Sequence, residues 1–180
     1  MKSTRAIKVI TSLSVGVVLL ASLSWIGLGQ VSGRIDRISV FAGLDNRPEK
    51  TSKALNYLLV GSDTREGLTK EEMKALRVGS TKTAAGGRSD TMLLVHISKK
   101  RDKAFLVSLP RDSLVTIPAH LSTDGKTQIP DRENKLNAAF AFGGPPLLIE
   151  TIERATNLQM DHYIEVSFAG FAGIVNALGG

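Results

Sequence analysis

Val9 to Gly29 is a run of 21 residues without a charge. At about 1.5 Å per residue a helix of that length spans roughly 30 Å, the hydrocarbon thickness of a bilayer. Trp25 falls near its far end, where an indole suits the membrane interface. Residues 31–53 are polar and weakly patterned around Gly33, Gly43 and Pro48, which reads as a spacer with a poor strand signal over residues 35–41. Residues 56–61 are a short apolar run closed by Gly-Ser-Asp, the pattern of a buried strand. Thr69 and Glu72 form a capping box and predict a helix that runs to Arg77 and stops at Gly79.

Residues 91–97 and 103–109 predict two strands joined into a hairpin by the basic turn Ser98-Lys99-Lys100-Arg101-Asp102, itself read as solvated. Residues 137–142 and 146–156 predict helices; the second starts at Pro146 and sets Leu147, Leu148, Thr151, Ile152 and Ala155 on one face. Residues 162–166 predict a strand, and Ser167 caps a last helix over residues 168–178. Strands alternating with helices imply an α/β sheet covered by helices. A sheet ending on a helix cap lacks its next strand, which reads as a truncated product or part of a longer domain.

Composition changes this picture in three places. The absence of cysteine excludes a disulfide scaffold, a thiolate zinc site and a cysteine nucleophile. Aromatic residues make up 5%, too few for a stacking platform on single-stranded nucleic acid. The net charge of +6 looks like a nucleic-acid signal until it is split by position. Lys2, Arg5 and Lys8 precede the apolar run and all 17 acids follow it, so the remaining 20 cations exceed them by only three. Cations before the run place residues 1–8 in the cytoplasm and everything after residue 29 outside, as a single-pass protein of the cell membrane. The competing reading is a cleavable signal peptide with a small-residue site among Gly27, Gly29, Ser32 and Gly33; the length of the run favours an uncleaved anchor over residues 9–29.

Polar residues gather at the ends of the predicted strands: Gly61-Ser62-Asp63-Thr64-Arg65, Gly87-Arg88-Ser89-Asp90-Thr91 and Ser108-Leu109-Pro110-Arg111-Asp112. Lys135-Leu136-Asn137 opens a helix. Ligands of open sheets bind beyond strand ends. Guanidinium groups clamp phosphate oxygens, and carboxylates hold Mg²⁺ against them, so converging clusters of this kind suit a pyrophosphate. The plain alternative is surface ion pairs and turn aspartates. His96, His120 and His162 share no metal-ligand spacing and read as structural. No nucleophile elbow or phosphate-binding P-loop is present, and Ser62, Ser89 and Ser113 have no identifiable base.

The strings LLVGSDTR, GRSDTMLLVHI, FLVSLPRDSLVTIP, KLNAAFAFGGP and HYIEVSFAGFAGIVNALGG, in that order and spacing, resemble the LytR-CpsA-Psr family from about Leu55 to the last residue. The resemblance implies an α/β/α sandwich with a mixed central sheet enclosing a channel for a polyprenyl chain, here over residues 54–180, after an anchor and a linker over residues 30–53. It implies a membrane-bound transferase that moves an anionic glycopolymer, such as teichoic acid, from a polyprenyl-pyrophosphate carrier to peptidoglycan with Mg²⁺. By motif, Asp63 and Asp90 would hold the metal. Arg88 and Arg111 would act on the phosphates as catalytic and substrate-binding groups, with Arg65 and Lys135 as supporting cations. Asp112 either orients Arg111 or acts as a base. Leu93, Val95, Phe105, Val107, Phe140, Leu148, Ile152, Phe168, Phe171 and Ile174 would be channel wall or plain core. No nucleic-acid partner is implied, because the anchor and the absence of a helix-turn-helix pattern oppose one. Family members continue past GIVNALGG into further strands and arginines, and Asn176 stands where an aspartate is usual. The alternatives are a module that holds polyprenyl phosphate without turnover, or an inactive fragment of such an enzyme.

Overall fold

The computed structural model describes residues 14, 16–18, 37–62, 70–75 and 89–180. Its contacts divide the chain between Ser39 and Val40. In the first unit residues 14 and 16–18 are helical, while the tail, most of the expected anchor and residues 31–36 lie outside the described residues. Among the described residues no helix is long and apolar enough to cross a membrane.

In the second unit β1 (Leu55–Ser62) is the hub of a four-stranded sheet. It pairs antiparallel with β2 (Ser89–Ile97) and parallel with β8 (His162–Val166). On the far side of β2 lies β3 (Ala104–Ser108), giving the order β3-β2-β1-β8 and the mixed sheet expected. The basic turn does make the β2–β3 hairpin, closed by Arg101 N–H on the Ser98 carbonyl at 2.9 Å and Ser98 N–H on Lys103 at 2.9 Å. The helix read from the capping box is described as α1 (Lys70–Ala75), with Thr69 outside the described residues.

Strand alternation sorts the side chains. Register pairs Leu58 with Leu94 and Val60 with Met92, and all four are buried on one face. That face is covered by α2 (Leu136–Thr156), which contributes Leu147, Leu148, Ile149 and Ile152 to the core. Leu148, Ile152 and Phe140 are therefore core, which decides between the two roles open to them in the sequence. The opposite face carries Leu59 opposite Leu93 and Tyr57 opposite Val95, all half-buried, with exposed Ile164 in register with Leu59 on β8. At this face begins α3 (Phe168–Ala177), whose N-cap Ser167 accepts from Gly170 N–H at 3.2 Å.

The two helices expected over residues 137–156 are halves of α2, joined at a kink where Gly144 has φ 65°. A side chain at Gly143 would place its Cβ 2.6 Å from the Leu147 Cβ, and Pro145 and Pro146 restart the helix where their missing N–H groups cost least. Gly143→Ala is expected to destabilise the fold by about 1–3 kcal/mol through overpacking. A denaturant midpoint unchanged from the parent protein would contradict that.

Two short pairs were not legible in the sequence: β4 (Leu114–Ile117) with β7 (Arg132–Lys135), and β5 (His120–Leu121) with β6 (Gln128–Ile129). The Arg-Glu-Asn-Lys of β7 carries no apolar alternation, so pairing with β4 alone makes it a strand. The expected spacer behaves differently over its second half. Residues 37–41 form no strand; Val40 is buried in the core and Phe41 and Leu44 pack against it. Arg47 grips Glu153 of α2 with Nη2 2.6 Å from Oε1, Glu153 accepts Met160 N–H at 2.7 Å, and the Arg47 guanidinium lies 4.8 Å from the Phe41 ring centre. The packed unit thus starts at Val40, fourteen residues before the boundary the polar pattern suggests.

Candidate functional site

Three strand ends meet at one edge of the sheet. β1 finishes at Ser62, β2 starts at Ser89 and β3 finishes at Ser108, with Leu109 N–H still bonded to the Met92 carbonyl at 2.9 Å. Gly61 pairs with Thr91 and Ser62 with Ser89, which leaves Asp90 as the extra residue of a β-bulge. Bulges interrupt pairing and re-aim side chains beside active sites. Asp63 follows Ser62 directly in the sequence. The side chain of Asp90, and all of Asp63, Arg65 and Arg88, lie outside the described residues.

Arg111, Asp112 and Lys135 are brought together by backbone hydrogen bonds. After Leu109 a turn closes with Ser113 N–H on the Pro110 carbonyl at 3.0 Å. α2 has no side-chain cap at Lys135; instead its first amides are satisfied by this turn, Leu136 N–H by Ser113 at 2.9 Å and Asn137 N–H by Arg111 at 3.0 Å. The turn is thereby fixed to the helix start, and β4–β7 pairing, with Leu114 opposite Lys135, holds the same junction from behind.

Between the two cations lies one carboxylate. Lys135 Nζ donates to Asp112 Oδ1 at 2.8 Å, and Arg111 Nε stands 3.6 Å from Asp112 Oδ2. The three side chains are 62%, 49% and 53% exposed for Lys135, Arg111 and Asp112, open to an anionic ligand. The hydrogen bond from Lys135 holds the Asp112 carboxyl below its usual value, helped by the charges of Lys135 and Arg111. A carboxyl stabilised as the anion is a weak base. Because the folded value is depressed, the ion pairs hold above the ordinary carboxylate range and are lost as pH falls through the lowered value. Lys135→Ala is expected to move the Asp112 titration, followed by carboxyl NMR, back up toward its ordinary value. An unmoved titration would show that Lys135 is not its main partner.

Beside this edge, on the sheet face away from α2, lies a cavity of about 280 Å³ lined by Gly61, Ser62, Thr91, Val166, Ser167, Phe168 and Phe171. Phe168 and Phe171 close it from α3. Nothing in the sequence picks out Gly61, Thr91 and Val166 as neighbours; register alone sets them side by side across three strands. Of the sequence-selected wall residues, Phe171 lines this cavity, Leu93 and Val95 lie on its face of the sheet, and Phe105 is exposed on β3.

Among the described residues no group of three or more His, Cys, Asp or Glu could hold a metal ion. Each histidine has a local partner: His96 Nδ1 lies 2.8 Å from Asn56 Oδ1, His120 Nδ1 2.8 Å from the Pro118 carbonyl, and His162 stacks on Tyr57 at 4.5 Å.

The LytR_cpsA_psr family model matches residues 33–180. The probable cell wall biosynthesis protein LcpB of Corynebacterium glutamicum is 41% identical over 125 residues, covering 69% of this chain and 27% of its own. A protein of Enterococcus faecalis, named polyisoprenyl-teichoic acid–peptidoglycan teichoic acid transferase TagU, is 30% identical over 184 residues, covering 96% of this chain and 52% of its own. The chain thus spans about a quarter to a half of the length of these relatives. Among solved structures, protein gbs0355 of Streptococcus agalactiae is 33% identical with a TM-score of 0.50, covering 71% of this chain and 38% of that one.

Proposed function

The chain belongs to the LytR-CpsA-Psr family, and from that premise we propose that it serves a membrane-anchored transferase. The enzyme moves an anionic glycopolymer from a polyprenyl-pyrophosphate carrier to peptidoglycan. One observation carries the reading: Arg111 and Lys135 face solvent, cross-linked by Asp112, at the sheet edge that also holds an apolar cavity walled by Phe168 and Phe171. A polyprenyl pyrophosphate is itself such a hybrid, a multiply charged head on a hydrocarbon tail. The names of the relatives in Enterococcus faecalis and Corynebacterium glutamicum, a teichoic acid transferase and a cell wall biosynthesis protein, support it.

In this proposal an acceptor hydroxyl of peptidoglycan attacks the phosphorus next to the glycan. A new phosphate ester forms, the bridging P–O bond breaks, and polyprenyl phosphate leaves, the hydroxyl proton passing to the departing phosphate or to solvent. Arg111 neutralises charge on the phosphate oxygens, with Arg88 in the same role and Arg65 and Lys135 adding positive field. Asp112, paired with both Arg111 and Lys135, would orient them. By motif Asp63 and Asp90 would share one hard cation, and Mg²⁺ held there would supply further neutralisation of the pyrophosphate. The uncharged run of residues 9–29 after Lys2, Arg5 and Lys8 supports an anchor with a cytoplasmic N-terminus and an extracytoplasmic catalytic part.

The test is release of polyprenyl phosphate from a polyprenyl-pyrophosphate glycopolymer in the presence of peptidoglycan and Mg²⁺. Release coupled to polymer appearing on peptidoglycan is the expected result. Lipid retained by the protein with no turnover would replace the proposal with a polyprenyl-phosphate-holding module.

A further inference from the structure

At the other end of the sheet, nine residues along β2 from the candidate site and so about 30 Å away, cations collect that the proposed chemistry does not use. The register Leu55↔Ile97 brings the start of β1 beside the end of β2. Lys50, Lys53 and Lys99 therefore line one concave surface with Thr51 and Ser52. The hairpin turn adds Lys100, Arg101 and Lys103, and all six cations are exposed. The acids among them are fewer and mostly occupied: Asp161 is ion-paired with Lys50, Asp102 accepts from Ser98 Oγ at 2.6 Å, and Glu49 is exposed. The edge keeps a net positive charge.

Arg101 sharpens the observation. It has φ 62°, the left-handed region, at the residue that closes the hairpin turn. Gly or Asn fills such a position at least cost, and a long L side chain there is uncommon. Turn stability does not account for an arginine at this point; a role for its charge does.

This is also the end at which the chain enters the sheet, about two dozen residues after the apolar run closes at Gly29. We propose that the basic edge formed by Lys53, Lys99, Lys100 and Arg101 docks on anionic phospholipid headgroups. It would hold the domain in one orientation at the bilayer surface. The inference rests on the membrane-anchor reading above. Attraction of this kind falls by about fivefold for each cation neutralised and fades within a Debye length.

The chain has no cysteine, so one fluorophore can be placed by Thr51→Cys in the full-length protein. Energy transfer to headgroup acceptors is compared in vesicles of phosphatidylcholine alone and of phosphatidylcholine with phosphatidylglycerol. Transfer is expected to strengthen with phosphatidylglycerol and to return to the neutral-lipid level at about 1 M salt. Neutralising Lys99, Lys100 and Arg101 to Gln is expected to lower the docking equilibrium constant about a hundredfold. Arg101→Gly guards against a folding artefact: the turn tolerates it, so the melting temperature holds or rises while transfer in phosphatidylglycerol falls. Equal transfer in both lipids overturns the proposal. So does a difference that appears only with soluble poly(glycerol phosphate), which would make the partner a wall polymer. Extraction of the chain from vesicles by alkaline carbonate would instead sink the anchor reading, a result independent of the lipid comparison.

Discussion

Arg111→Ala is expected to lower glycopolymer transfer by about 10²–10³-fold without unfolding the protein. The fold survives because what Arg111 contributes to architecture is its main-chain carbonyl, which receives Asn137 N–H and is present whatever the side chain. The side chain is about half exposed and lies beside Asp112. What is lost is a fixed cation at an edge where charge builds on phosphate oxygens. Arg111→Lys should recover only part of the rate, since an ammonium restores charge but not the planar fork that grips two oxygens. Turnover near that of the parent protein in Arg111→Ala, with an unchanged melting curve, would remove this residue from the mechanism.

The second large effect lies in the core, far from the chemistry. Arg47→Ala is expected to cost about 3–5 kcal/mol, because it strands a carboxylate that is 2% exposed. Arg47 meets both Glu153 oxygens, with Nε 3.0 Å from Oε2 and Nη2 2.6 Å from Oε1, and also bonds the Met160 carbonyl. Glu153 in turn satisfies Met160 N–H, so one pair ties residues 40–50, α2 and the approach to β8 together. Changing both partners, Arg47→Met with Glu153→Leu, should cost much less. No charge is then stranded; the remaining penalty is the unpaired Met160 N–H, about 1–3 kcal/mol, and the Met160 carbonyl, which loses Arg47 in both variants. Urea midpoints at unchanged slope would measure both. A double variant as unstable as Arg47→Ala would mean that packing, not charge, sets the cost.

This pair also shows where sequence reading stops. Arg47 sits in a stretch of glycine, proline and charges that has the composition of a linker, and Glu153 looks like one more polar residue of a helix. Neither carries a local sign that they meet, since 106 residues separate them. The helix face of Leu148 and Ile152, the hairpin, the Ser167 cap and the final strand were legible because each is written in spacing over a few residues. β7 was not, since Arg-Glu-Asn-Lys has no apolar period and becomes a strand only against β4.

The candidate site divides the same way. Arg111, Asp112 and Lys135 stood out in the sequence as charges at element ends, and the order of the motifs identified the family. That Asp112 bridges the two cations depends on a turn locked to the first amides of α2. The apolar cavity depends on the register that sets Gly61, Thr91 and Val166 abreast. Sequence by itself determined the elements, the charge at their ends and the family, because helix period, strand alternation and capping act over short range. Only the tertiary structure decided which charges meet, which apolar face is filled and which left open, because those depend on contacts between residues that chain order keeps far apart.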